Sequence, residues 1–213
     1  MVMAEVVIID YGMGNIHSVY KAVKNVLDKN SNVKVSTSFK DIKNSSHIIL
    51  PGQGAVGSCM NNISQVFDLD EFKNHITKKP FLGICMGLQA VMSFSEEDEG
   101  VQCLDVITGK VTGFKSLGKN LKIPHMGWNK VEHTSNHNIW QDIENHSYFY
   151  FVHSYYVEPE DPKVVLGTTN YGKKFTSIIQ KNSMIASQFH PEKSSKNGLQ
   201  FLKNFLNWEG DIE

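Results

Sequence analysis

The sequence predicts an α/β fold: a mostly parallel, twisted sheet with helices on both faces and a smaller antiparallel extension. Three short apolar runs, Val6–Ile9, His47–Leu50 and Phe81–Ile84, are continuous, as in strands that are buried on both faces. Segments with helical spacing alternate with them, which is typical of a parallel sheet. Short strand candidates with turns between them fill the second half and predict antiparallel hairpins. The 213 residues show no repeat or linker, so we expect one domain over residues 1–213.

The first half alternates strands and helices. After the first strand, apolar residues at positions 16, 19, 20, 23 and 27 predict a helix. A short strand at Val33–Val35 precedes the second buried strand, which Pro51-Gly52-Gln53-Gly54 ends. Another helix is predicted within Glu71–Thr77, before the third buried strand.

The second half contains strand candidates at residues 110–114, 148–152, 164–167, 175–180 and 184–187. Ser194 or Ser195 is expected to cap a last helix. The core face of that helix would be formed by Leu199, Leu202, Phe205 and Leu206.

Composition narrows the class of protein. The net charge of −1 gives no field that would favour nucleic acid or an acidic membrane. All 21 basic residues are Lys, so a bidentate guanidinium clamp is absent, and the main site for any phosphorylated acceptor is expected on another subunit. The cysteines, Cys59, Cys85 and Cys103, are odd in number and form no C-x-x-C motif, which favours a reducing compartment. The N-terminus resembles no signal peptide, and no apolar run is long enough for a membrane helix, so we expect a cytoplasmic protein.

The third buried strand runs directly into a Gly-x-Cys-x-Gly turn at Gly83–Gly87. This is the sulfur version of the nucleophile elbow, in which a sharp strand-to-helix turn holds a nucleophile out of the sheet. A thiol at a helix N-terminus lies near unpaired backbone N–H groups, which favour the thiolate. A lone cysteine is more often structural, but the position of Cys85 after a buried strand favours a nucleophile if a base lies nearby.

His190-Pro191-Glu192 supplies such a base. The segment follows the strand candidate at 184–187, and parallel sheets place active sites at the carboxyl ends of strands. Glu192 can accept the other imidazole N–H of His190 and set its tautomer. Taken alone, the segment would be a surface turn; with Cys85 it completes the nucleophile, base and orienter of acyl transfer.

Pro51-Gly52-Gln53-Gly54 is the third candidate. Two glycines after a buried strand can present backbone N–H groups to an anion. Together with the Met86 N–H they could form an oxyanion hole. An ordinary strand-ending turn explains the segment equally well.

Two other patterns are weak evidence for a cofactor or a metal site. Gly12-Met13-Gly14 lacks the third glycine of a dinucleotide fingerprint, and the His133/His137 pair lies in a predicted loop with no Glu between its members. We therefore expect no cofactor and no metal. Glu96–Glu99 is expected to be a solvated acidic turn, although one member could face a ligand amine.

Gly83–Gln89 and His190-Pro191-Glu192 together resemble the triad glutamine amidotransferases. Further stretches are similar to one family among them, the glutaminase subunits of imidazole glycerol phosphate synthase. Those stretches are Asp10–Asn15, Pro51–Gly54, Pro124–Trp128, Tyr148–Tyr155 and His190–Ser195. The resemblance covers essentially the whole chain, and its specific part is the segments I-P-H-M-G-W and H-P-E-K-S-S.

The resemblance implies that Cys85 is the nucleophile, His190 the base and acid, and Glu192 the orienter of a triad that hydrolyses glutamine through a γ-glutamyl thioester. It implies an oxyanion hole at Gly52, Gln53 and Met86. The glutamine pocket would be formed by Gln89, Glu97, Ser154 and Tyr155. The partner interface and ammonia passage would be formed by Asn15, Pro124, Met126, Trp128, Tyr150 and Lys193.

The implied partner is a cyclase subunit with a (β/α)8 barrel, bound as a heterodimer. It would use the ammonia to form imidazole glycerol phosphate in histidine biosynthesis. A paralogue that feeds ammonia to another synthase, for example in sugar amidation, is an alternative that the triad cannot separate. A non-catalytic activating subunit is opposed by the intact Cys85, His190 and Glu192, and a free-standing cysteine hydrolase is opposed by the interface stretches.

Overall fold

The computed structural model describes residues 4–114 and 121–211, so the predicted domain limits at residues 1 and 213 lie outside the described part. Its α-helices are α1 (Ile16–Val26), α2 (Phe39–Asn44), α3 (Val56–Val66), α4 (Leu69–Ile76), α5 (Met86–Ala90) and α6 (Ser195–Leu206). Its strands are β1 (Glu5–Ile9), β2 (Asn32–Ser36), β3 (His47–Leu50), β4 (Phe81–Ile84), β5 (Met92–Ser95), β6 (Val101–Gln102), β7 (Ile107–Gly113), β8 (His125–Lys130), β9 (Glu132–His133), β10 (Tyr148–His153), β11 (Tyr155–Pro159), β12 (Val165–Asn170), β13 (Lys174–Lys181) and β14 (Met184–Ser187). Single 3-10 turns lie at Glu97–Glu99, Asn138–Trp140, Pro162–Val164 and Pro191–Lys193.

A parallel sheet forms the centre, in the order β2-β1-β3-β4-β14. From β14 the sheet continues through antiparallel pairs to β13, β11 and β7, and then to β5 and β6. The predicted α/β fold class is confirmed. The antiparallel part extends further than the sequence indicated, because β11 joins β13 to β7.

Alternate side chains of the buried strands enter two separate cores. Val6 and Ile8 pack on the side of α1 and α6, whereas Val7 and Ile9 pack on the side of α2, α3 and α4. Because successive strand residues point to opposite faces, only a strand covered by helices on both sides can be apolar throughout. This explains the continuous apolar run in β1.

The sequence missed α2 and α3. Val56, Cys59, Met60 and Ile63 of α3 are buried at helical spacing, so the periodic signal was present. Gly, Ser and Asn, which are weak helix formers, fill the positions between them and concealed the helix. None of the helices among the described residues is long and apolar enough to cross a membrane.

Candidate active site

Three neighbouring strands end at one edge of the sheet, and the candidate catalytic segments follow them. β3 leads into Pro51–Gly54, β4 into Cys85, and β14 into the segment that contains His190. Ser187 pairs with Ile84, and the Cys85 N–H donates to the Ser187 carbonyl at 2.7 Å. Sheet register therefore joins parts of the chain that are about a hundred residues apart.

Cys85 occupies a strained backbone conformation between β4 and α5, with φ 54° and ψ −97°. A positive φ is costly for a residue with a Cβ and persists only where the surroundings impose it. Close packing imposes it here. A Cβ on Gly87 would lie 2.3 Å from the Leu50 carbonyl oxygen, and one on Gly83 would lie 2.7 Å from the Gly87 oxygen. These glycines let the elbow press against β3.

We therefore expect Gly87→Ala to lower the free energy of unfolding by about 3 kcal/mol, because backbone atoms must move to admit the methyl group. Urea unfolding measures the change. Gly57→Ala in α3 is the control, since its Cβ would meet only side-chain atoms, the Asp98 carboxylate at 3.1 Å and the Val101 Cγ2 at 3.5 Å, and alanine favours the helix. Equal stability of Gly87→Ala and wild type would contradict the tight elbow.

His190 and Glu192 form a buried pair. The His190 Nδ1 lies 2.8 Å from the Glu192 Oε1, and the Glu192 side chain is 1% exposed. The backbone around them is also fixed, since the His190 N–H donates to the Tyr150 carbonyl. Ser194 precedes α6, but its hydroxyl makes no capping bond. It donates to the His190 carbonyl at 2.6 Å and accepts from the Tyr150 N–H at 2.9 Å. The Ser194 hydroxyl, predicted to cap α6, therefore holds the segment that contains His190 in place.

The electrostatics of His190 favour its charged form. Burial alone would lower the pKa of the imidazolium. The charge of the nearby Cys85 sulfur and the contact with the Glu192 carboxylate outweigh burial and raise the pKa of His190 to about 10. At neutral pH the ring is therefore an imidazolium, which has a proton to donate to a leaving group.

A cavity of about 750 Å³ opens in front of Cys85 and His190. All four residues of the predicted glutamine pocket line it: Gln89, Glu97, Ser154 and Tyr155. Glu97 accepts from the Val56 N–H at 2.8 Å, and burial raises the pKa of its carboxyl group. Glu97 and Gln89 thus place acceptors beside the cavity, which suits a ligand ammonium group.

The predicted oxyanion-hole residues surround the elbow. Gln53 and Met86 line the cavity, and Gly52 lies behind them, where an added Cβ would be 2.5 Å from the Met86 Cβ. The Cys85 N–H is occupied by the Ser187 carbonyl. The Met86 N–H opens α5, and the first N–H groups of a helix have no acceptor within it.

The six predicted interface residues lie in three places, and Lys193 belongs to two of them. Pro124 and Lys193 line the cavity. Met126 and Trp128 project from β8 and are 62% and 50% exposed, Tyr150 lies opposite Trp128 on β10, and the Lys193 ammonium is 5.9 Å from the Tyr150 ring. Asn15 has a structural role, since its side chain accepts from the Ser18 N–H and caps α1. We call Met126, Trp128, Tyr150 and Lys193 the outer face.

Two buried histidines lie beside the cavity, and no role was predicted for either of them from the sequence. His153 lines the cavity, and its Nε2 is 2.9 Å from the Nδ1 of His125, its partner across the β8–β10 pair. Alternation along β10 was the available signal, because His153 follows Phe149 and Phe151 on the buried face.

These histidines predict a pH-dependent stability. Burial lowers the pKa of His125 to about 4 and that of His153 to about 3, below the ordinary value of 6.5. Between the lowered pKa values and 6.5, the unfolded chain binds more protons than the folded chain, so stability falls as the pH falls. We expect each histidine to lower the free energy of unfolding by about 1.4 kcal/mol when the pH falls from about 7.5 to about 5.5. Urea unfolding at the two pH values should show a smaller loss of stability in His125→Phe than in wild type, because one of the two histidines is absent. Tyr171→Phe keeps both histidines and should lose as much stability as wild type. Identical losses in all three proteins would refute the assignment.

No group of three or more His, Cys, Asp or Glu side chains in the described ranges has a metal-binding arrangement. His133, which was rejected as a metal ligand on its sequence context, stacks on Trp140 with the two ring centroids 4.0 Å apart. The His137 Nδ1 accepts from the Ile139 N–H.

Comparison with known proteins gives a family and close relatives. The family model "Glutamine amidotransferase class-I" matches residues 7–208. Imidazole glycerol phosphate synthase subunit HisH of Hydrogenovibrio crunogenus is 49% identical over 206 residues, covering 96% of this chain and 97% of that protein. Subunit HisH 1 of Pseudomonas aeruginosa is 43% identical over 213 residues, covering 98% and 99%. A crystal structure of a glutamine amidotransferase, at 15% identity, superimposes with a TM-score of 0.70 over 95% of this chain and 99% of that one, and supports the fold.

Proposed function

We infer the reaction from a family membership: the chain belongs to the class-I glutamine amidotransferases and, within them, to the HisH subunits of imidazole glycerol phosphate synthase. It is a glutaminase that serves histidine biosynthesis by supplying ammonia to a cyclase partner. We further propose which residues carry out the reaction, how the complex is formed and in which compartment the protein acts.

The observation that carries the proposed mechanism is the array of Cys85, His190 and Glu192 at adjoining strand ends, beside a cavity large enough for an amino acid. The Cys85 thiolate attacks the carboxamide carbon of glutamine, and a C–S bond forms. The oxyanion accepts hydrogen bonds from the Met86 N–H and the Gly52-Gln53 peptide. The His190 imidazolium donates its proton to the amide nitrogen, the C–N bond breaks, and ammonia leaves.

The remaining γ-glutamyl thioester is hydrolysed by water. Neutral His190 takes a proton from the water as it attacks the carbonyl carbon. The C–S bond then breaks, glutamate leaves, and Cys85 and His190 return to the thiolate and imidazolium. Glu192 keeps the proton of His190 on Nδ1 when the ring is neutral, so that Nε2 can act as the base.

We propose that the partner is a (β/α)8-barrel cyclase that binds the outer face as a heterodimer, with residues 1–213 acting as one glutaminase domain. The exposed Met126 and Trp128 favour this face, because monomeric proteins rarely expose neighbouring large apolar side chains without a partner. Lys193 and Pro124 connect the face with the cavity, which suits passage of ammonia between the two sites. The free cysteines suit the cytoplasm, where thiols stay reduced.

The test is reconstitution with the cyclase that co-purifies with the chain, followed by assays with glutamine or an ammonium salt as nitrogen donor. We expect imidazole glycerol phosphate from both donors. Product from ammonium alone, with no glutamate released from glutamine, would refute the glutaminase proposal. Co-purification of a different synthase would refute the proposed partner.

We expect Trp128→Ala to weaken cyclase binding at least about tenfold, because large aromatic residues dominate interface energetics. Isothermal titration of the two subunits measures the affinity. Val35→Ala, an exposed apolar residue on the distant edge strand β2, is the control. Wild-type affinity in Trp128→Ala would place the cyclase elsewhere.

A further inference from the structure

A chain of hydrogen bonds with only one consistent direction runs from β8 to the cavity. The Tyr155 carbonyl can only accept, so the His153 Nδ1, at 2.7 Å, carries a proton. In a neutral ring the Nε2 of His153 is then an acceptor, and the Nδ1 of His125, at 2.9 Å, must be its donor. The Nε2 of His125 is in turn an acceptor, and the Asn129 amide N–H₂ lies 3.2 Å from it. The Asn129 carbonyl oxygen accepts from the Lys130 N–H, which fixes that amide.

The other end of the chain orients Gln89. The Tyr155 carbonyl also accepts from the Gln89 Nε2, at 3.2 Å. A second acceptor, the Gln188 Oε1, lies 3.4 Å from the same nitrogen. Both N–H bonds of Gln89 are therefore directed at the protein. Its Oε1 is buried and has no hydrogen-bond partner among the described residues, and Gln89 lines the cavity. A buried acceptor of this kind is costly unless a ligand donor satisfies it.

We propose that His125 and His153 are positioning residues for glutamine: as Nδ1–H tautomers they fix the Tyr155 carbonyl, which holds the Gln89 amide so that its Oε1 accepts a hydrogen bond from the substrate. The proposal rests on the glutaminase function proposed above. Neither histidine enters the bond-making steps, so the effect falls on glutamine binding more than on turnover.

The first test compares His125→Phe with His125→Asn in the reconstituted complex. Phenylalanine keeps the stack on Tyr171, whose ring is 4.0 Å from that of His125, but removes the donor to His153. The asparagine amide restores a donor near the Nδ1 position. We expect the KM for glutamine to rise about tenfold in His125→Phe with kcat within about twofold, the rise to be smaller in His125→Asn, and the ammonium-dependent rate to stay unchanged in both. A wild-type KM in His125→Phe, or equal impairment of both variants, would overturn the proposal.

The second test does not depend on activity or on a variant that folds. Long-range proton–nitrogen NMR spectra of the wild-type chain distinguish the two neutral tautomers of histidine. We expect His125 and His153 both to carry the proton on Nδ1, although the free side chain prefers Nε2. An Nε2–H signal from either residue would reverse the chain and overturn the proposal. The outcome is separate from that of the glutamine and ammonium assays on the reconstituted complex, which decide the proposed function and do not depend on these tautomers.

Discussion

Cys85→Ala is expected to reduce glutamine-dependent product formation by at least about 10³-fold, while an ammonium salt still supports the cyclase at the wild-type rate. Loss of a covalent nucleophile commonly removes nearly all of the catalysis that its triad provides. The partner does not need Cys85 when ammonia is added directly. The two donors thus separate loss of glutaminase chemistry from loss of the complex.

Cys103→Ala is the matched control, since Cys103 lies outside the cavity and its thiol contacts the Val101 carbonyl at 3.7 Å. It should keep both activities. Mass spectrometry with a glutamine analogue that alkylates the nucleophile should label wild type and Cys103→Ala but not Cys85→Ala. Retained glutamine turnover in Cys85→Ala would refute the nucleophile assignment, whatever the labelling shows.

The positions of Cys85, His190 and Glu192 at one edge of the sheet could be predicted because each residue follows a recognisable strand. Cys85 lies between two glycines directly after β4, and His190 lies shortly after β14. Local patterns mark such strand ends, and parallel strands bring them to one edge of the sheet. The sequence could not give the strand order that makes β4 and β14 neighbours, and so it could not show that Cys85 and His190 line the same cavity.

The histidine chain could not be predicted for a related reason. Alternation along β10 indicates that His153 is buried, but not which group satisfies it. Its partner, His125, becomes adjacent only through the antiparallel register of β8 and β10. Register depends on pairing between segments distant in the chain, whereas sequence patterns report local geometry. The hydroxyl of Ser194 shows the same limit: its position before α6 predicts a cap, and tertiary contacts assign it to His190 and Tyr150.

Glu192→Gln is expected to lower glutamine-dependent activity by about 10² to 10⁴-fold, again with ammonium-dependent activity retained. Glutamine has nearly the shape of glutamate but no charge. If its amide N–H₂ faces His190, the ring proton must move to Nε2, and the neutral ring can no longer accept a proton from water. If its oxygen faces His190, the amide N–H₂ lies where the Glu192 Oε2 has no partner among the described residues. An unpaired buried donor costs about 1–3 kcal/mol, so either orientation is unfavourable.

The pKa of His190 provides the second measurement. Glu192 is one of the groups that raise it, so an NMR titration of the imidazole should give a lower pKa in Glu192→Gln than in wild type. Glu160→Gln, which neutralises an exposed carboxylate, is the control and should change neither the titration nor the activity. A wild-type rate in Glu192→Gln with a lowered pKa would mean that His190 acts without an orienter. A wild-type rate with an unchanged pKa would remove Glu192 from the triad altogether, because the 2.8 Å contact would then have no electrostatic effect on the ring.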